Sequence, residues 1–214
     1  MPRPAPRFFF GAMSPYSWIS AERIEPLLAE ARWRGVLAGA LFKASGRTSW
    51  GLTGRREEGI ADCEARAAAH GLGPMRWPER WPTSDLLVAR AMIFAERAAD
   101  GVGADGSRGD PQGLLKPFAL AAMRLAFLQG CDLADPDVVL EAGRHAGIDP
   151  QELGSALTDP TIKDGLRTVT DEALALGVFG VPTVAVGLEL FWGDDRLEDA
   201  AHAYRGLGPA GAAD

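Results

Sequence analysis

Phe8-Phe9-Phe10-Gly11-Ala12-Met13-Ser14-Pro15-Tyr16-Ser17-Trp18 holds the decision about the fold. The aromatic run within residues 7–12 suits a buried strand that stops at Gly11. Serine followed by proline then opens a helix: the hydroxyl caps the free N–H groups, and proline sits where its missing N–H costs nothing. Ile19, Ile24, Leu27, Leu28 and Ala31 give an apolar face at helical spacing, so the helix is predicted to run to about Arg34 and end at Gly35. Val36 to Phe42 is almost uninterruptedly apolar and reads as a second buried strand. Strand, helix and strand in this order make a parallel pair with a crossover.

The other end of the chain also predicts sheet. A helix over 160–176 ends at Gly177, and Val178 to Val186, Gly187, and Leu188 to Trp192 read as a hairpin around a glycine turn. Gly193-Asp194-Asp195-Arg196 opens a last helix with Leu197, Ala200, Ala201 and Tyr204 on one face. Between the two ends, 43–56 is a polar, glycine-containing loop and 57–70 a helix. Pro74, Trp77, Pro78, Trp81 and Pro82 make a stiff aromatic loop. Helices are predicted over 84–99, 115–129, 136–146 and 150–157, with starts at Ser84, Pro117, Asp135-Pro136 and Asp149-Pro150. The expected organisation is α/β: residues 1–82 and 160–205 form one discontinuous unit, 83–159 an inserted helical subdomain, and 206–214 a frayed tail.

Composition narrows the function classes. The chain has 214 residues and a net charge of -7, which disfavours a general nucleic-acid binder, because such a protein needs cationic surface to displace counterions. No stretch approaches the ~18 apolar residues of a membrane span, and none resembles a signal peptide, so a cytoplasmic protein is expected. Cys63 and Cys131 stand alone, without C-x-x-C, and read as two separate thiols. His70, His145 and His202 show no metal-ligand spacing, so no metal is expected. Gly101-Val102-Gly103-Ala104-Asp105-Gly106 matches a dinucleotide fingerprint but follows a helix where a strand is required, and it reads as a loop.

Three motifs carry the functional reading. Ser14-Pro15-Tyr16-Ser17 stands at the first helix start, Gly180-Val181-Pro182-Thr183 precedes the hairpin, and Phe191-Trp192-Gly193-Asp194-Asp195-Arg196-Leu197 follows it. Together with Leu41-Phe42-Lys43-Ala44-Ser45-Gly46, they resemble the 2-hydroxychromene-2-carboxylate isomerase family, relatives of kappa-class glutathione transferases and DsbA-like proteins. The resemblance spans about residues 7–205. It implies a thioredoxin-like fold with an all-helical insertion, glutathione or another low-molecular-weight thiol as cofactor, a small aromatic second substrate, and a homodimer.

A helix amino terminus offers unpaired N–H groups and a positive dipole end, which stabilise a thiolate placed there. Redox members of the fold carry their own thiol at this point. Here serine stands in its place, and a hydroxyl donor can instead stabilise the sulfur of a bound thiol. Read alone, Ser14 is a helix cap, Pro182 a proline ahead of a strand and Asp195 an acidic helix start. The resemblance assigns Ser14 to thiol activation, Val181 and a cis Pro182 to backbone pairing with the peptide, and Asp195 or Asp194 to the γ-glutamyl ammonium. Lys43, Arg55 and Arg56 are candidates for a ligand carboxylate or are solvated charges. Tyr16, Phe42, Trp50, Trp77 and Trp81 are candidates for the second-substrate pocket or are core residues. Where the family often has asparagine, this chain has Arg47. The implied activity is cis-trans isomerisation by reversible thiolate addition. Alternatives are a kappa-like transferase, a DsbA-like disulfide oxidoreductase, which the paired serines oppose, and a non-catalytic thiol- or peptide-binding module.

Overall fold

The computed structural model describes residues 4–99, 110 and 112–207. The glycine-rich motif at 101–106 and nearly all of the tail at 206–214 lie outside them. Strand β1 (Arg7–Phe10) sits inside a four-stranded sheet of order β2-β1-β3-β4, with β2 Arg32–Gly35, β3 Thr183–Val186 and β4 Glu189–Trp192. β1 runs parallel to β2 and antiparallel to β3, and β3 and β4 form the hairpin around Gly187. This is the thioredoxin-like α/β arrangement that the resemblance implied.

The alternation of β1 explains why all three phenylalanines are buried. Phe8 and Phe10 stack 5.3 Å apart on one face, and the Trp33 ring meets both edge-on, while Phe9 points to the other face. Helix α1 (Pro15–Leu27) follows β1 and packs on α5 (Gln112–Gln129) and α9 (Leu197–Gly206). Helix α8 (Pro160–Ala175) packs on β2, on α2 (Ala38–Ala44) and on α4 (Leu86–Ala99). Helices α4 to α7, with α6 Pro136–His145 and α7 Pro150–Ala156, fall in the chain between α3 (Arg56–Ala69) and α8, and they pack on one another. Asp135, Asp149 and Asp159 each cap a helix whose first residue is proline, accepting from N–H groups two residues on.

Three local readings need correction. Helix α1 ends at Leu27 instead of about Arg34, with Pro26 in its last turn, and Arg32 to Gly35 is strand β2. The segment Val36 to Phe42, read as a strand, instead contains helix α2. Short apolar runs cannot separate strand from buried helix by period. The alternation of exposed Arg32, buried Trp33 and half-buried Arg34 was the better strand signal. Helix α5 starts at Gln112, where the Asp110 side chain accepts from the Gln112 N–H, and Pro117 lies inside it. A proline there deprives the Gly113 carbonyl of its usual helical donor.

β2 is an edge strand, and its exposed backbone is partly covered by a side chain. The Gln112 amide accepts from Trp33 N–H at 2.7 Å and donates to Trp33 C=O at 3.4 Å, as a neighbouring strand would. The Trp33 indole N–H, fully buried, has no acceptor among the described residues. Trp33→Ala should therefore cost about 3–5 kcal/mol in urea unfolding. Trp33→Phe should cost under about 2 kcal/mol, since it removes an unsatisfied donor along with the lost ring.

Candidate functional site

Helix α1 starts where β1 leaves the sheet. Ser14 is its N-cap, in extended conformation, and its Oγ accepts from Ser17 N–H at 3.3 Å. The Ser14 hydroxyl proton has no acceptor among the described residues, so it is free to donate outward. No acidic residue occupies the first turn of α1, whose N–H groups open on the space beside Ser14. The second serine is different: Ser17 is fully buried, and its Oγ accepts from Gly11 N–H.

Ser14 lines an open cleft of about 1220 Å³. That exceeds the ~300–1,000 Å³ of a single small-ligand pocket and leaves room for two molecules. The Val181–Pro182 bond is cis, as expected, and both residues line the cleft. Among the described residues the backbone N–H and C=O of Val181 find no partner, whereas the Pro182 carbonyl accepts from Gly193 N–H at 3.0 Å. A peptide laid along Val181 therefore meets a free donor and a free acceptor. Gly193 has φ +115, and a β-carbon there would run into the Asp195 carboxylate.

The two aspartates after Gly193 separate cleanly. Asp194 is buried, with its Oδ1 3.0 Å from Arg66 Nη1, and burial pushes its carboxyl up against the pull of that guanidinium. Asp195 is exposed and lies 3.8 Å from the same guanidinium. Asp195 is thus the carboxylate presented to the cleft, and Asp194 holds the loop from beneath.

Arg66 is a hub that sequence reasoning missed. Its Nε bonds Asp62 at 2.9 Å, and the same Asp62 oxygen accepts from the Tyr16 hydroxyl at 2.8 Å. The spacing of Asp62 and Arg66, four apart on α3, was the available signal. Tyr16 lines the cleft with its ring under Arg66 and its phenol tied down, and burial drives its ionisation well above the ordinary range. Cys63 is fully buried, and burial pushes its thiol up to about 12, so it is no nucleophile. Both cysteines are free, and neither lines the cleft.

The aromatic wall is mostly as expected. Trp50 and Trp81 lie 4.8 Å apart and both line the cleft, with Phe42 on the adjoining side. Trp81 is largely buried and donates to Met13 C=O at 3.1 Å, just ahead of Ser14. Gly51 and Gly59 give these rings their space: a β-carbon would overlap Trp81 at the first and Trp50 at the second. Trp77 packs behind them on Phe127 and is not in the cleft. Lys43 is exposed in the cleft and makes no ion pair among the described residues. Arg55 is paired with Glu58, and Arg56 donates to the Trp81 carbonyl. Arg47 also lines the cleft, its guanidinium 4.7 Å from the Trp192 ring and 5.3 Å from Phe179.

The sequence profile of the DsbA-like thioredoxin domain matches residues 7–205. The chain belongs to that family. Within it, the chain is 25% identical over 213 residues to human glutathione S-transferase kappa 1, covering 93% of this chain and 91% of the relative. It is 24% identical over 200 residues to 2-hydroxychromene-2-carboxylate isomerase from Sphingobium xenophagum, covering 89% and 93%. A solved 2-hydroxychromene-2-carboxylate isomerase superposes with a TM-score of 0.75 at 19% identity, over 95% of this chain and 96% of the other. Among the described residues, no helix of this family member is long and apolar enough to cross a membrane.

Removing Arg66 should expose how much the site leans on it. Arg66→Met leaves Asp194 buried without its cation, at a cost of about 2–3 kcal/mol near neutral pH. The Asp194 carboxyl would rise further in the folded state, so the unfolded chain would ionise first as pH climbs. The penalty should therefore be largest above the folded-state value and shrink as pH falls toward the ordinary carboxylate range near ~4. Urea melts of both proteins across pH measure this.

Proposed function

We propose that this protein is a glutathione-dependent enzyme that adds the bound thiolate reversibly to a conjugated aromatic carbonyl compound of the 2-hydroxychromene-2-carboxylate kind, isomerising it. The observation that carries this is the convergence, in one cleft, of the Ser14 hydroxyl at a helix start, the unpaired backbone of Val181, and the exposed carboxylate of Asp195. A tripeptide thiol has matching groups: a sulfur to accept from Ser14, a peptide backbone to pair with Val181, and an ammonium to meet Asp195. Lys43, unpaired at the rim, suits a carboxylate. Trp50, Trp81 and Phe42 offer an apolar face to the second molecule.

The chemistry follows from the donor set. A hydroxyl proton and a helix amino terminus stabilise sulfur as thiolate, which attacks the conjugated bond. Rotation in the adduct and expulsion of the thiolate complete an isomerisation that consumes no thiol. The likeness to human glutathione S-transferase kappa 1 favours a second reading, in which the thiol stays attached and the protein is a conjugating transferase. Serine at both 14 and 17 leaves no thiol pair at the helix start for disulfide exchange.

Ser14→Ala tests this reading. A charge-assisted hydrogen bond contributes about 1.5–3 kcal/mol, so the pKa of bound glutathione should rise by about 1–2 units in the variant. Ultraviolet thiolate absorbance during pH titration reads it out, and calorimetry reports whether glutathione binds at all. An unchanged thiol pKa would remove Ser14 from the mechanism.

A further inference from the structure

Asp85 stands just ahead of α4 and lines the same cleft as Ser14. It is half-buried, and its Oδ2 accepts from Ala38 N–H, the first residue of α2, at 3.2 Å. Its own carbonyl accepts from Ala89 N–H at 2.9 Å, so its backbone belongs to the start of α4. Besides Ala38 N–H its carboxylate meets only its own backbone N–H, and it forms no ion pair among the described residues. A helix cap needs no cleft position.

The placement relative to the thiol site is set by packing. Ala38 abuts Gly11 so closely that a β-carbon on Gly11 would stand 3.1 Å from the Ala38 side chain, and the Gly11 carbonyl accepts from Ser14 N–H at 3.0 Å. Asp85 is bonded to Ala38 and Ser14 to Gly11, so two abutting segments bring both side chains into one cleft. Trp81 and Pro82, on the aromatic wall, are three to four residues before Asp85 in the chain and line the cleft with it.

Resting on the thiolate-addition reading above, we propose that Asp85 is the proton-bearing group for the second substrate. Its carboxyl group hydrogen-bonds the carbonyl oxygen of a conjugated ketone or aldehyde and delivers a proton to it as the sulfur adds. The sulfur forms a bond to the β-carbon, the π pair moves to the carbonyl side, and the Asp85 proton passes to that oxygen, giving an enol and an Asp85 carboxylate. Reversal returns the proton to Asp85 and expels the thiolate. A substrate that also carries a carboxylate must turn that end toward Lys43, away from Asp85.

The electrostatics agree. Burial raises the Asp85 carboxyl against the effect of backbone N–H donors, and no charged side chain contributes to the shift. Of the charged groups on the surrounding elements, Lys43 sits in the last turn of α2, Arg90 of α4 donates to the Leu157 carbonyl, and Arg56 of α3 donates to the Trp81 carbonyl. Glu79 and Arg80 on the preceding loop are exposed.

The test is Asp85→Asn, which keeps an acceptor for Ala38 N–H and a donor for a carbonyl but carries no titratable proton. The probe is the neutral enone 4-phenyl-3-buten-2-one, followed by quenching of tryptophan fluorescence across pH without glutathione. The wild type should lose about tenfold in affinity as Asp85 ionises and can no longer donate, while Asp85→Asn should bind with no pH dependence. With glutathione present, Asp85→Asn should lower the addition rate about 10²-fold without changing the glutathione KM. A flat pH profile in the wild type, the same slope in the variant, or no binding of the enone at any pH overturns the assignment. Calorimetry with glutathione alone reports separately on the thiol site, so a failure there is distinguishable from a failure at Asp85.

Discussion

The cleft depends on a close approach of backbones at Gly11. β1 leaves the sheet there, the N-cap of α1 follows three residues later, and both the start of α2 and the Val181 loop press against the same residue. A side chain on Gly11 would stand 3.1 Å from Ala38 and 3.5 Å from Val181. Because the residue is glycine, three segments far apart in sequence share one point, and their polar ends open on one space. Buried Ser17 locks the arrangement by accepting from the Gly11 N–H.

Charge at the site is arranged around Arg66. It neutralises Asp194 beneath the loop after β4, ties to Asp62, and through Asp62 holds the Tyr16 hydroxyl. The effect is to use up the negative charge and phenol that would otherwise compete for a ligand. Ser14, Lys43, Arg47, the Val181 backbone and the exposed Asp195 are among the groups left with polar capacity for a ligand in the cleft. Asp85 is a further one on the aromatic side, without a cation partner, and this sets it apart from the ion-paired carboxylates.

The second-substrate wall is built by size contrast. Trp50 and Trp81 lie against Gly59 and Gly51, which gives two large rings fixed seats without strain. Trp77 and Phe127 back them, so the wall is anchored in the helical part of the chain while it faces the sheet part. Arg47 stacks on Trp192 and Phe179 at the other end of the cleft, where its cation is held by aromatic faces instead of carboxylates.

Sequence alone determined the α/β class, the hairpin around Gly187, the caps at Ser14, Asp135 and Asp149, and the three motifs that pointed to one site. Each of these is local: a cap, a glycine turn or an X-Pro bond is specified by residues within a few positions. The segment 28–42 was misread because its apolar residues suit either strand or helix, and only packing against α8, α4 and the sheet chooses. The same limit applied to the site. That Asp194 is buried and Asp195 exposed, that Arg66 pairs with both, and that Asp85 lines the same cleft as Ser14 are relations between residues far apart in the chain, 128 positions between Arg66 and Asp194. Burial and pairing at such distances are set by how the chain closes on itself, and only the tertiary structure decided them.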